Sequence, residues 1–296
     1  MIAALMGRED RSPISLTGRF TGQVWVRNQL SPKGLDTTAG RWLYRMLIPL
    51  DLACDWLQGV SLETMLLHRH KGIDRLTAEL VQRHPDIQIL EIACGLSARA
   101  WRLFQGHILP PSVLKDVRYI ETDLPDVVEH KAHLYRGMGF TEAHHQIRGC
   151  NILRSDGPLS PESIIADLDP ARPLLVITEG LVNYFPLTIM QAFWQRLARA
   201  FVRFPHGYYL ADIWPRLPEY HGFPLRSLAL KGYEVITHQP APLHFEDDAD
   251  IQRGFAEVGF AHTEVFDPDH WPTGESARSM RRRTLFRLIR AQLVGE

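Results

Sequence analysis

The chain has 296 residues, 45% of them hydrophobic and 23% charged, which is enough apolar content to bury the core of one large, elaborated α/β domain and too much for intrinsic disorder. A formal net charge of −1 leaves no basic footprint for a phosphate backbone and argues against a nucleic-acid partner. The three cysteines, Cys54, Cys94 and Cys150, are odd in number and widely spaced, so neither a disulfide framework nor a zinc motif is expected, and a reducing, cytoplasmic setting fits.

In chain order, the opening residues MIAALMGRED lack the apolar region of a signal peptide. From Trp42 to Leu57 apolar residues recur at helical spacing, with Trp42, Met46 and Leu50 on one face and Pro49 as a kink. Arg45, Asp51 and Asp55 interrupt this run before it reaches membrane-spanning length, so no membrane partner is expected. Ser61 is placed to cap a following helix that carries Leu62, Leu66, Ile73, Leu76 and Leu80 on one face, with Arg69 among them. Residues 1–85 read as an N-terminal helical cap.

Residues 86–296 alternate short apolar runs with helical patterns, the signature of βα units and a parallel sheet. The strand candidates are Ile87 to Ala93, Val117 to Thr122, His145 to Arg148, Leu174 to Thr178 and Tyr208 to Ala211. Between the last two, Thr188 is a candidate cap for a helix with Ile189, Phe193, Leu197 and Phe201 on its apolar face. The segment from Trp214 to Leu243 is rich in Pro, Gly and aromatic residues and reads as a lid inserted after the fifth strand. Asp247 or Asp248 caps a helix that stops at Gly259, and two final strands, His262 to Phe266 and Thr284 to Ile289, pair as an edge hairpin across the turn at Pro268 to Ser279. The architecture expected is a doubly wound, mostly parallel, Rossmann-like α/β sheet.

Leu90-Glu91-Ile92-Ala93-Cys94-Gly95-Leu96-Ser97 carries the chemistry most clearly. An apolar strand ends there in a turn of small residues that opens a helix, at the strand end where open α/β sheets bind ligands. The next strand ends in Thr122-Asp123, whose carboxylate falls where a ribose diol is held in such sheets; the alternative is a helix cap before Leu124-Pro125, and a capping Asp can serve as both, with the ligand role favoured once the two segments are combined. Arg69, on the apolar face of its helix, needs a buried anion, either a ligand carboxylate or a protein acid. Cys94 has no neighbouring base and reads as packing.

Three ordered motifs, Glu91-Ile92-Ala93-Cys94-Gly95-Leu96-Ser97-Ala98-Arg99, Tyr119-Ile120-Glu121-Thr122-Asp123-Leu124-Pro125 and Thr178-Glu179-Gly180-Leu181-Val182-Asn183-Tyr184-Phe185-Pro186, resemble the leucine carboxyl methyltransferase family. The resemblance implies a seven-stranded class I methyltransferase sheet that binds S-adenosylmethionine, with no metal. It implies Arg69 on the methionine carboxylate, Glu91, Ala93 and Gly95 at the cofactor turn, Asp123 and Leu124 at the ribose, Asn151 and Ile152 beside adenine, and Glu179 facing the cofactor amino group. The chain departs from the family pattern at Ala93, where glycine is common, at Ser97 and Ala98, where Asp and Thr are common, and at Asn151, which replaces an acid.

The expected acceptor is a carboxylate of a small molecule or peptide, which is already ionised at neutral pH and needs no base; a hydroxyl or phenol acceptor is the alternative. Tyr184 and Asp212 are candidate catalytic residues, Trp214 and Arg216 candidate substrate contacts, and His206 and His238 candidate bases. Two other readings stay open at this stage. Ala93, Gly95 and Ala98 echo a dinucleotide fingerprint, which suits a nicotinamide-dependent oxidoreductase, and the departures from the family pattern suit a cofactor-binding protein without turnover. The basic run Arg281-Arg282-Arg283 reads as a solvated strand edge.

Overall fold

The computed structural model of the chain describes residues 16–58, 61–216, 243–270 and 284–293. All but the ends of the expected lid, together with His238 and Arg281-Arg282-Arg283, lie outside these residues.

Seven strands form one sheet: β1 (Gln88–Ile92), β2 (Arg118–Asp123), β3 (His145–Gly149), β4 (Leu174–Thr178), β5 (Gly207–Ile213), β6 (His262–Phe266) and β7 (Arg287–Gln292). Their order is β3-β2-β1-β4-β5-β7-β6. The first five run parallel, and β7 is antiparallel to both of its neighbours. Every residue of β1 and β4 is buried, as a strand covered on both faces requires. The chain moves outward from β1 in one direction through β2 and β3, then returns to place β4 on β1's other side. Between β1 and β4 the strand order therefore reverses, and the carboxyl ends there open a crevice.

Eight helices accompany the sheet among the described residues: α1 (Leu16–Arg27), α2 (Thr38–Gln58), α3 (Leu62–Arg83), α4 (Arg99–Phe104), α5 (Pro125–Gly137), α6 (Pro161–Ala166), α7 (Leu187–Phe201) and α8 (Asp248–Glu257). On one face of the sheet, Ile73, Leu76 and Leu80 of α3 share a core with Ile89, Leu175, Tyr208, Leu210 and Leu288. On the other, Phe193, Trp194 and Leu197 of α7 and Phe255 of α8 pack with Leu90, Val176 and Tyr209.

The expected strands and the mostly parallel sheet hold, with local corrections. β7 starts at Arg287 rather than Thr284, because the Thr284 backbone N–H and hydroxyl are both given to Asp269 instead of the ladder. Thr188 does not cap α7: the N-cap is Pro186, two residues earlier, and Ile189 N donates to its carbonyl. Ser61 does cap α3, accepting from Thr64 N, and Asp247 caps α8, accepting from Asp250 N.

In α2, the stripe with Trp42 and Met46 is exposed, while Tyr44 and Asp51 are buried with Leu47 and Ile48 half-buried beside them. Polar satisfaction fixes this choice. The Tyr44 hydroxyl donates to Glu63 at 2.7 Å, and Asp51 accepts from Ser61 Oγ at 2.8 Å and from Leu62 N at 2.5 Å, so it caps α3 alongside Ser61.

Candidate active site

The turn after β1 is built on two left-handed residues, Ala93 at φ 56° and Gly95 at φ 49°. A glycine accepts that conformation freely, whereas the Ala93 Cβ is strained by it. Cys94 N donates to the carbonyl of Thr122 at 3.0 Å, which ties the turn to the end of β2. Asp123 completes the connection: one oxygen accepts from Gly95 N at 2.7 Å and the other from Leu124 N at 2.8 Å. The N-cap of α5 is Leu124 and carries no side-chain cap, so Asp123 does not cap that helix; it binds the Leu124 N–H just before it and stands at the carboxyl edge. Burial raises the Asp123 pKa above its ordinary value, against the opposing pull of the two backbone N–H bonds. Among the described residues, no atom beyond the turn's own neighbouring residues lies within 4 Å of where a Cβ on Gly95 would stand, so these residues leave the space above the turn open.

Arg69 and His70 reach this edge from α3. Arg69 Nε donates to Glu179 at 3.0 Å and Nη1 to Asp212 at 3.4 Å, while Gly180 N donates to the other oxygen of Asp212 at 2.5 Å. The guanidinium lies against Gly180, where a Cβ would stand 3.1 Å from Nη2. The buried anion that Arg69 needs is supplied here by two protein acids. His70 Nδ1 lies 2.8 Å from the second oxygen of Glu179, and its Nε2 is buried with no hydrogen-bond partner among the described residues. The His70 ring is 4.6 Å from that of Trp25 on α1.

Behind these residues stands Arg99, fully buried at the start of α4. It donates to Glu179 at 2.5 Å, to Glu91 at 2.5 Å and to Asp74 at 2.8 Å. Asp74 also receives Arg102, and Glu91 receives the Tyr119 hydroxyl at 2.7 Å. Burial would raise the Glu179 pKa, but His70, Arg99 and Arg69 overcome it and hold the carboxyl well below its usual value. Asp212 goes the other way: burial outweighs Arg69 and the Gly180 N–H and raises it. A second buried pair joins Glu121 to Lys131 at 2.8 Å, with His145 2.8 Å from the other Glu121 oxygen.

The other expected site residues fall as follows. Glu91 is fully engaged by Arg99 and Tyr119 and supports the turn from behind. Asn151 folds its side-chain oxygen onto Leu153 N, and Ile152 enters the core, both just past the end of β3. Tyr184 sits half-buried in a short 3-10 turn after β4. Trp214 is held by its backbone, its N–H donating to Asn183 Oδ1 at 2.9 Å and its carbonyl accepting from Asn183 Nδ2 at 3.3 Å. Arg216 is exposed and paired with exposed Glu246. His206 lies at the opposite, amino-terminal end of β5, beside His84. Sequence reading missed His70, Asp74, Arg99, Arg102 and Asn183. The two arginines three apart in Arg99-Ala100-Trp101-Arg102 were the available signal for the cluster. Among the described residues no group of three or more His, Cys, Asp or Glu could hold a metal ion, and no helix is long and apolar enough to cross a membrane.

A reversing parallel sheet with an antiparallel strand inserted before its edge, a small-residue turn after β1 and an acid ending β2 define the class I methyltransferase fold. A candidate methyltransferase of Thermobifida fusca has the same fold, with a TM-score of 0.62, 16% identity and 94% of each chain covered. The leucine carboxyl methyltransferase profile matches residues 34–198, and the chain belongs to that family. The O-methyltransferase of tetracenomycin polyketide synthesis from Streptomyces glaucescens is 28% identical over 116 residues, 39% of this chain. A Mycobacterium tuberculosis protein described as a candidate S-adenosylmethionine-dependent methyltransferase is 33% identical over 110 residues, 37% of this chain. The matched stretches span 36% and 32% of those relatives' own lengths.

Proposed function

We propose that this chain is an S-adenosylmethionine-dependent O-methyltransferase whose acceptor is a carboxylate of a small molecule or peptide. One observation carries the reading: the open turn at Gly95 lies directly beside the Asp123 carboxylate at the crevice where the strand order reverses. These residues fit the cofactor. Each Asp123 oxygen accepts one backbone N–H and keeps lone pairs for a ribose diol, and the empty space over Gly95 admits a close ligand. Arg69 has donors beyond the two used on Glu179 and Asp212, which suits the methionine carboxylate. Glu179, kept ionised by its cationic neighbours, suits an ammonium.

When bound, S-adenosylmethionine supplies an electrophilic methyl group on a sulfonium. The protein's part is to hold the acceptor oxygen in line with it, and an ionised carboxylate then requires no base. The family membership and the two polyketide and mycobacterial relatives support a methyl transfer of this kind. A hydroxyl acceptor is a second reading, favoured by the Glu179–His70 pair with its unpartnered Nε2, the arrangement of a base oriented by an acid.

Calorimetric titration of the protein with S-adenosylhomocysteine, beside an Asp123→Ala variant, tests the cofactor. Micromolar binding that the variant loses supports it, and absence of binding to folded wild-type protein overturns it. Transfer of a labelled methyl group to a panel of carboxylic acids and phenols then tests the acceptor. Turnover on phenols alone, abolished in His70→Ala, would replace the carboxylate reading with the second.

A further inference from the structure

The exposed face of α2 carries four large apolar side chains: Trp42 is 61% exposed, Met46 57%, Leu52 60% and Trp56 85%. Together they present on the order of 500 Å² of apolar surface, comparable to the largest patch of a typical monomer. Their order along the helix is a palindrome about Pro49. Trp42 and Trp56 lie seven residues on either side of it, Met46 and Leu52 three, Arg45 and Ala53 four, and Pro49, Arg45 and Ala53 are themselves exposed. At 3.6 residues per turn all seven fall within about 60° of the direction of Pro49.

From this arrangement we propose that α2 is the two-fold interface of a homodimer, in which two copies of the helix pack antiparallel with Pro49 at the dyad. A two-fold interface must be self-complementary, so that any contact a residue makes with the partner is repeated in reverse across the dyad. The palindrome supplies that. Trp42 meets the partner's Trp56 at each end, about 10 Å from the dyad at 1.5 Å rise per residue. Each Met46 enters the space over the partner's small Ala53, and each Leu52 lies on the methylene stem of the partner's Arg45. The Arg45 guanidinium comes beside the partner's Trp56, a pairing suited to cation–π attraction. Pro49 carries no side-chain bulk beyond its ring, which allows close approach at the centre. Two such faces bury about 1,000 Å² in total, the size at which specific interfaces begin. A lipid surface or an unrelated peptide would be served by apolar character alone and needs no mirror order.

The proposal is independent of the reaction catalysed, yet it touches the site. α2 packs on α1, whose Gly22 stands against Leu96 of the cofactor turn and whose Trp25 lies on His70. Pairing through α2 would hold that cap in place.

Light scattering coupled to size exclusion, at micromolar concentration, tests the interface. The wild-type chain is expected at twice its mass of 33.9 kDa, and a Trp42→Glu, Met46→Glu, Trp56→Glu variant at the single mass with an unchanged circular dichroism spectrum. A second measurement does not depend on how that variant folds. In a Cys54→Ser background, Pro49→Cys should form an intermolecular disulfide under mild oxidation, and Arg41→Cys, far from the dyad, should not. A monomeric wild-type chain overturns the proposal, whether its tryptophans prove shielded by another part of the same chain or it sediments with phosphatidylserine vesicles. A dimer that survives the triple substitution overturns it as well.

Discussion

Replacing Arg99 with methionine, which keeps the length of the side chain but removes its charge, should be among the most damaging single changes in the chain. The guanidinium is fully buried and donates to three carboxylates, Asp74, Glu91 and Glu179. Removing one partner of a buried ion pair costs about 3–5 kcal/mol, because the remaining charge is left without compensation. The three losses do not add. Asp74 keeps Arg102, Glu179 keeps Arg69 and His70, and only Glu91 is reduced to a single neutral partner, the Tyr119 hydroxyl. The expected loss is therefore about 4 kcal/mol, a large part of the 5–15 kcal/mol that holds a typical domain together. With a urea slope of about 3 kcal/mol/M or more for a chain of this size, urea unfolding followed by circular dichroism reads it as a fall of about 1 M in the midpoint at unchanged slope. Adding Glu91→Leu should recover part of the loss by removing the stranded acid. A loss under about 1 kcal/mol for Arg99→Met would refute the view that this network holds the carboxyl edge together.

The Glu121–Lys131 pair should behave in the same way: Lys131→Met alone loses about 3–5 kcal/mol in urea unfolding, and Lys131→Met with Glu121→Gln loses clearly less. Ala93→Gly should stabilise the protein by about 0.5–1 kcal/mol, since relief of the left-handed strain exceeds the added flexibility of the unfolded chain; thermal unfolding would show no gain if the turn relaxes instead. Gly180→Ala should do the reverse, losing about 1–2 kcal/mol from its φ of 68° and pushing a methyl group onto Arg69, which calorimetry would also read as weaker binding of S-adenosylhomocysteine. Acid should weaken the fold through Glu179. Its folded pKa is depressed, so its stabilisation is complete above the ordinary value of 4.5 and is lost as pH falls below that through the lower folded value. Urea midpoints measured down that range should fall more steeply for the wild type than for Glu179→Gln.

Periodicity made the sheet legible. Runs such as Leu174 to Thr178 are apolar because both faces of the strand are covered, and nothing else in the chain competes for that reading. The turn at Ala93 to Gly95 and the acid at Asp123 were legible because both sit where a strand ends. The charge cluster was not, since Arg99 meets acids 8, 25 and 80 residues away, and no local spacing records such contacts. The buried face of helix α2 was not legible for a related reason. Its periodic stripe of Trp42 and Met46 is real, but Tyr44 and Asp51 find hydrogen-bond partners in the neighbouring helix, and an unsatisfied buried carboxylate would cost more than the exposed tryptophans do.

The position of β7 bears on how the molecule can be made. It follows β6 in the chain but lies inside it in the sheet, so β6 has no ladder to join until β7 has been synthesised and has paired with β5. The five parallel strands can assemble as the chain emerges, leaving the edge of β5 bare. Strands β6 and β7 then have to arrive together, as one unit, bridging 74 to 84 residues of sequence to reach β5, and until they do the bare edge of β5 is exposed to aggregation.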